Sequence, residues 1–285
     1  MNEATAAERL AEVVRRRTHL SVTERNLARL LRVADARRER LGLALDAYVA
    51  RVGEPGAPEI EHLLCELTVG ETYFFRGAAQ VEALRGGVLP ALIAERRAGR
   101  ALRLRVLSAG CATGEEPYSL VILLRELLPD LDAWDVAVVG LDVNERFLHA
   151  ARLARYGDWS LRELPEATRA RWFSPEPPGH RLAPEVTRLV RFLRHNLAVE
   201  SLAAAGLDAM DLIVCQNVLY YVEPEARAFV RESLCGALAP GGVLLFGPAD
   251  LVHADVPGCE VMTLGDVLAY RRAPRPSADR AREPR

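Results

Sequence analysis

The chain has 285 residues, room for one large domain or for a domain of about 200 residues with a smaller partner. Half of the residues are apolar and 27% are charged, which excludes a disordered or fibrous chain. The 37 basic residues, all of them Arg, nearly cancel the 39 acidic ones to a net charge of −2, which excludes a chain-wide basic field for nucleic acid and any chemistry that needs a Lys nucleophile, Schiff base or Walker Lys.

From Ala6 to about Val52 the apolar residues recur at helical spacing, as in Leu10, Val13 and Val14 and then Leu27, Leu30 and Leu31, which predicts several amphipathic helices. The stretch Glu8 to Arg40 holds ten Arg against five acidic residues, so this helical surface is locally positive. Residues 53–58 break the pattern, and a further helix is expected from about Glu59 to Leu67. Glu3, Glu8 and Glu12 near the start exclude a secretory signal, and no run of 18 apolar residues occurs, so a cytoplasmic protein is expected. Cys65, Cys111, Cys215, Cys235 and Cys259 form no C-x-x-C pair. Neither a structural zinc nor a disulfide framework is expected, and no metal site is assigned. His19, His62, His149, His180 and His253 occur singly and read as surface or core residues.

From Leu102 onward short β-rich runs alternate with stretches of helical length. Strands are expected at 102–108, 136–142, 210–216 and 243–246, with two last ones at 260–263 and 267–272; helices are expected at 116–128, 144–155 and 224–238. This βαβ series predicts an α/β, doubly wound and mostly parallel sheet. Residues 240–242 read as a turn, residues 158–188 as an irregular insertion or lid near the sheet edge, and the Pro- and Arg-containing tail 273–285 as disordered.

Ser108-Ala109-Gly110-Cys111-Ala112-Thr113-Gly114-Glu115-Glu116 ends a strand in small residues and opens a helix, which lets a ligand approach the backbone at the carboxyl end of the sheet. The rhythm is neither the phosphate cradle nor the dinucleotide fingerprint, and the Glu-Glu pair meets the helix dipole with carboxylates, so a cationic or neutral ligand fits better than a pyrophosphate. A tight turn with acidic helix-start residues is the plainer reading. Asp142, at the end of the second strand, stands where ribose hydroxyls are held in adenosine binders. It also reads as the cap of the helix that begins near Asn144, and the two roles are compatible.

Six blocks occur in one order: GETYFFR from Gly70, SAGCATGEEPYSL from Ser108, LDV from Leu141, HNL from His195, CQNVLYYV from Cys215 and LAPGGVLLFG from Leu238. Together they resemble the chemotaxis receptor methyltransferases, the CheR family, over about residues 20–270. The resemblance implies a class I fold for S-adenosylmethionine (SAM) dependent methyltransferases: a seven-stranded, mostly parallel sheet (73–272) behind a small all-α domain (1–72). It implies methyl transfer to glutamate side chains of the cytoplasmic domain of methyl-accepting chemoreceptors, with S-adenosylhomocysteine as product. Residue by residue, it implies that Thr72, Arg76, Gly110, Glu116, Asp142, Asn196, Leu197, Gln216 and Asn217 hold the cofactor. Arg76 and Tyr221 lie near the reacting centre on the same implication. Gly70 stands where the family usually has Asn, and Gln216 where it usually has Arg; the first removes an amide and the second a positive charge from the pocket.

The chemistry suits these residues. A glutamate carboxylate, with a reference pKa of about 4.3, is already an ionised nucleophile at neutral pH, so no general base is needed. Alignment of the carboxylate oxygen with the methyl group and sulfur supplies about 7–11 kcal/mol of barrier reduction. On this reading Arg76 orients the acceptor bidentately and Tyr221 adds a hydroxyl contact; the plainer reading is that Arg76 pairs only with Glu71 or Glu116 and Tyr221 only packs. The basic helical surface gives a docking face for acidic receptor helices, or is simply a solvated Arg-rich face. Two alternatives stand beside this function: a SAM methyltransferase with a non-receptor acceptor, and a degenerate cofactor-binding scaffold of a signalling array.

Overall fold

The structure, a computed structural model, describes residues 5–250, 256 and 258–273. Four helices come first: α1 (Ala6–Thr18), α2 (Glu24–Leu41), α3 (Leu45–Gly53) and α4 (Pro58–Leu67). A capping box opens α1, where the Glu8 carboxylate accepts from the Thr5 N–H at 2.7 Å and the Thr5 hydroxyl accepts from the Glu8 N–H at 3.3 Å. Gly42, at φ 66°, closes α2 in the left-handed conformation. The apolar stripes of these helices meet in one cluster around Leu10, Val14, Leu30, Tyr48, Val52 and Leu63. Within it the Glu59 carboxylate, 5% exposed, accepts from Arg37 Nε and Nη2 at 3.0 and 2.7 Å and from the Tyr48 hydroxyl at 3.1 Å.

After a crossing segment, α5 (Ala78–Ala83) passes through a π-helical turn, Leu84–Val88, into α6 (Leu89–Ala98). The sheet then begins with β1 (Arg103–Ala109), α7 (Glu115–Leu127), β2 (Asp135–Asp142) and α8 (Glu145–Leu153). The stretch expected to be an irregular lid is regular: β3 (Arg155–Tyr156), α9 (Asp158–Leu161), α10 (Glu166–Trp172), β4 (Phe173–Glu176), β5 (Gly179–Leu182) and α11 (Pro184–Thr187). Its strands make a separate antiparallel sheet in the order β3-β5-β4. Strands this short carry too little periodicity to register in sequence. Last come β6 (Val190–Arg194), β7 (Met210–Cys215), α12 (Arg227–Ala237), β8 (Leu238–Phe246), β9 (Cys259–Leu264) and β10 (Val267–Arg272).

The main sheet has seven strands in the order β6-β2-β1-β7-β8-β10-β9. The pairs β6/β2, β2/β1, β1/β7 and β7/β8 are parallel, and β10 runs antiparallel to both β8 and β9. This is the expected class I α/β fold. Every residue of β7 is buried, the mark of a central parallel strand covered on both faces. Strand β6 lies beyond the expected set because its pattern Val-Arg-Phe-Leu-Arg reads weakly.

Two other expectations change. Residues 240–242 form an irregularity inside β8, not a turn before it; a Cβ on Gly242 would lie 2.6 Å from the Met210 carbonyl oxygen, so only glycine lets the strands close up there. Cys235 and Cys259 form a disulfide, where none was expected. The β9–β10 hairpin returns to the end of α12, a proximity that sequence spacing does not report. Cys65, Cys111 and Cys215 are free, the last two buried. The tail expected to be disordered lies, beyond Ala273, outside the described residues, as does His253.

The Arg37–Glu59–Tyr48 group anchors the helical cluster. Hydrogen bonding from Arg37 holds the Glu59 carboxyl below its ordinary pKa, so its contribution is fully present at neutral pH and is lost as pH falls below 4.5 through the native value. Glu59→Ala is expected to cost about 3 kcal/mol at pH 7, because it strands a partly buried guanidinium and a phenol; urea unfolding measures it.

Candidate active site

The carboxyl ends of the parallel strands carry loops whose backbone N–H groups have left the ladder, and buried carboxylates take them up. Asp142, ending β2, accepts from the Ala112 N–H at 2.9 Å and from the Asn144 N–H at 2.8 Å. It thereby fixes Ala112 at φ 45° in the loop after β1. Burial pushes its carboxyl pKa up while these backbone bonds pull it down. The cap of α8 is Asn144, which accepts from the Arg146 N–H at 2.9 Å; this corrects the reading of Asp142 as that cap and leaves its carboxylate at the cavity wall. Asp250, 2% exposed, plays the matching part on the other side, accepting from the Asn217 and Leu219 N–H groups, the latter at 2.8 Å. It holds Asn217 at φ 57°. Between the two loops Gly110 sits at φ 83°, and a Cβ there would meet Val218 Cγ2 at 2.3 Å, so the close passage of the loops requires glycine.

The two acids that open α7 part company. Glu115 is tied down by the Thr113 and Ser160 hydroxyls, which donate to it at 2.7 and 2.9 Å. Glu116 faces the cavity and accepts from the Ser108 hydroxyl at 2.6 Å. Burial pushes its pKa up to about 8, against the pull of that bond and of the Arg76 charge. Among the described residues no ion pair reaches Glu116.

The segment 70–76 crosses the cavity and is bolted at its centre. The Phe74 N–H donates to the Ser160 carbonyl at 2.9 Å and the Phe75 N–H to the Ser119 hydroxyl at 3.1 Å. The Phe74 ring is fully buried, edge-on to Tyr156 and Phe173. Thr72 and Arg76 are thereby presented to the cavity, and Arg76 donates to the Glu71 carbonyl. The roof comes from the helical region: the Ser21 N–H donates to the Tyr221 carbonyl at 2.8 Å and the Glu223 N–H to the His19 carbonyl at 2.9 Å. The Asn196 amide donates to the Thr18 carbonyl at 3.1 Å, and its oxygen accepts from the Ala198 N–H at 3.0 Å. That side chain is committed to the latch between helices and sheet.

Thr72, Arg76, Gly110, Glu116, Asp142, Asn196, Leu197, Gln216, Asn217 and Tyr221 all line one cavity, about 1440 Å³ of empty space including its open mouth. Sequence reasoning missed Asp250, Ser108, Phe147 and the roof residues Leu20, Ser21 and Asn26. An Asp four residues past a strand gives a faint signal; the roof gives none, because it depends on tertiary docking. Two half-buried carboxyl groups, Glu116 and Asp142, with backbone approach at Gly110, fit a ligand that carries a positive charge and hydroxyl groups.

Residues 70–264 match the family model described as "CheR methyltransferase, SAM binding domain". The chain is 34% identical over 193 residues to "Chemotaxis protein methyltransferase 2" of Vibrio cholerae, covering 67% of this chain and 66% of that one. It is 36% identical over 255 residues to "Probable biofilm formation methyltransferase WspC" of Pseudomonas aeruginosa, covering 86% and 58%. It is 30% identical over 210 residues to "Probable chemotaxis protein methyltransferase" of Rhizobium etli, covering 73% and 78%. The chain thus spans 66% and 58% of the length of the first two.

The departure at Gly70 has a steric partner. A Cβ there would sit 2.7 Å from Phe147 Cζ, and that ring lines the cavity. Gly70→Asn is expected to displace the ring and weaken cofactor binding by about tenfold, and adding Phe147→Ala is expected to recover most of the loss, a non-additive pair in calorimetry with SAM.

Proposed function

We propose that this chain, which belongs to the CheR methyltransferase family and has SAM as its cofactor, transfers the methyl group to glutamate side-chain carboxylates of chemoreceptor cytoplasmic domains, giving methyl esters in sensory adaptation. The observation that carries the reading is the cavity itself: a half-buried carboxyl group without an ion-pair partner among the described residues, Glu116, shares it with an arginine and a tyrosine, Arg76 and Tyr221, and the reaction asks for no general base. When bound, SAM supplies an electrophilic methyl carbon whose bond to sulfur breaks with the electron pair returning to sulfur, leaving S-adenosylhomocysteine as the acceptor oxygen takes the methyl group.

The residues divide that work. Glu116 pairs with the cofactor's ammonium group and Asp142 accepts from its ribose hydroxyls. Gly110 admits it against the backbone. Thr72, Asn196, Leu197, Gln216 and Asn217 close around it, Asn196 through the backbone it positions. Arg76 swings from the Glu71 carbonyl to hold the acceptor carboxylate, and Tyr221 donates its hydroxyl beside the methyl group. Residues 73–272 form the methyltransferase domain and the helices of 1–72 the receptor-contacting one. Arg29, Arg32, Arg37 and Arg40 of α2 gather with His62 and Arg146 around a surface depression in which Glu66 pairs with Arg29 and Arg146, and the remaining excess of positive charge supports docking of an acidic receptor helix. No described helix is long and apolar enough to cross a membrane, and the receptor domain it would modify places the protein in the cytoplasm. The relative named for biofilm formation, aligned over 86% of this chain, favours a second reading of the output alone: the same transfer onto a receptor of a surface-growth pathway.

Two measurements test this reading. With radiolabelled SAM and receptor cytoplasmic fragments, mass spectrometry should locate methyl esters on Glu, Arg76→Lys should slow transfer about 100-fold and Tyr221→Phe about tenfold; full transfer by both variants would remove these roles. The second is pH. An ammonium ligand needs Glu116 ionised, and its pKa in the free protein is about 8, so cofactor affinity is expected to rise about tenfold from pH 6.5 to 8 with proton release on binding. Calorimetry in buffers of different ionisation enthalpy reads that proton, and Glu116→Gln should abolish both the slope and the release.

A further inference from the structure

At the mouth of the cavity one arginine is held in an unusual way. The Arg162 guanidinium carbon lies 3.6 Å from the centroid of the Tyr73 ring and 3.8 Å from that of the Trp159 ring. Both rings thus pack against this one guanidinium and hold it in place. One donates to the Trp159 carbonyl at 2.5 Å, and another faces Glu71 Oε1 at 3.4 Å. That ion pair is long and its carboxylate is half exposed, a contact that contributes little and exchanges readily. Trp159 is 66% exposed, an uncommon position for the largest apolar side chain. Tyr73 also lines the cavity and has the Arg76 guanidinium 5.7 Å from its ring centroid. One ring therefore has both guanidiniums beside it: Arg76, inside the cavity, and Arg162, outside it.

We propose that Trp159, Arg162 and Tyr73 form a docking ledge for the acceptor polypeptide, on which Arg162 grips a second carboxylate next to the one that reacts. The inference rests on the methyl-transfer reading and deepens it by naming what the acceptor carries: an acidic helical segment with two carboxylates one turn apart. Side chains at positions i and i+4 have Cβ atoms about 5–6 Å apart, a spacing that suits two guanidiniums around one aromatic ring. Charge complementarity fixes the partner's sign, and the ledge is built of Trp, Tyr and Arg, the residues that dominate binding energy at protein interfaces. The stack pre-orders the arginine, so little side-chain entropy is lost when a carboxylate arrives. Arg162 is a positioning residue: it touches the acceptor away from the reacting atoms.

The test is direct binding, so that it stands apart from turnover. Fluorescein-labelled helical peptides of about 20 residues, with Glu at the acceptor position and either Glu or Gln four residues away, are titrated by anisotropy into the full chain saturated with S-adenosylhomocysteine. The wild-type protein is expected to bind the Glu/Glu peptide about tenfold more tightly than the Glu/Gln peptide. Arg162→Met should abolish that preference, Arg162→Lys should restore only part of it, and Trp159→Ala should weaken both peptides alike, all with S-adenosylhomocysteine affinity unchanged. A wild-type protein that does not discriminate the peptides, or an Arg162→Met protein that still does, overturns the proposal. Radiolabelled transfer onto the same peptides separately judges the methyl-transfer reading: preference without transfer removes that reading and keeps the ledge as a binding surface.

Discussion

The structure depends on how a parallel sheet ends. Where the strands stop, the loops carry N–H groups that the ladder no longer satisfies, and burying them unpaired costs about 1–3 kcal/mol each. Here two carboxylates meet that need. Asp142 joins the loop after β1 to the start of α8, and Asp250 joins the end of β8 to the turn after β7. Each holds one non-glycine residue, Ala112 or Asn217, in the left-handed region, a conformation that persists only when the surroundings enforce it. The cavity floor is the space between these two fixed loops.

That solution sets the electrostatics of the site. Asp142 and Asp250 are satisfied by backbone donors, with no ion pair to either among the described residues, and Glu116 joins them with a hydroxyl as its partner. The cavity thus gathers the carboxyl groups of Glu116 and Asp142 on its walls, and the arginine that lines it with them is Arg76. On the proposed reaction the carboxyl groups serve the cationic cofactor and the guanidinium serves the acidic acceptor, so the two reactants are sorted by charge within one cavity.

How much of this was legible in the sequence follows from range. Glycine turns, strand-ending acids and apolar runs are local, and they located Gly110, Asp142 and the ordering of helices before sheet; Asn196, Leu197, Gln216 and Asn217 came through the family resemblance. Gly70 shows the limit. Set against the family's usual Asn it reads as loss of an amide, whereas a Cβ there would meet the ring of Phe147, 77 residues further along the chain. Asp250, the Cys235–Cys259 disulfide and the three-stranded sheet were missed for the same reason, since each is defined by a partner distant in sequence or by strands of two to four residues that leave no period to detect.

The helical region illustrates how far such non-local contacts reach into the site. Its cluster is separate from those of the sheet, which by itself describes a detachable unit. Yet the turn between α1 and α2 bonds to the backbone on both sides of Val222, and the Thr18 carbonyl accepts from the Asn196 amide. Leu20, Ser21 and Asn26 then form cavity wall. A site whose floor belongs to the sheet and whose roof belongs to the helices cannot be assigned to either part alone. Whatever binds the basic face of α2 presses on the same helices whose connecting turn holds the Tyr221 carbonyl, so docking there and cavity shape share one mechanical frame.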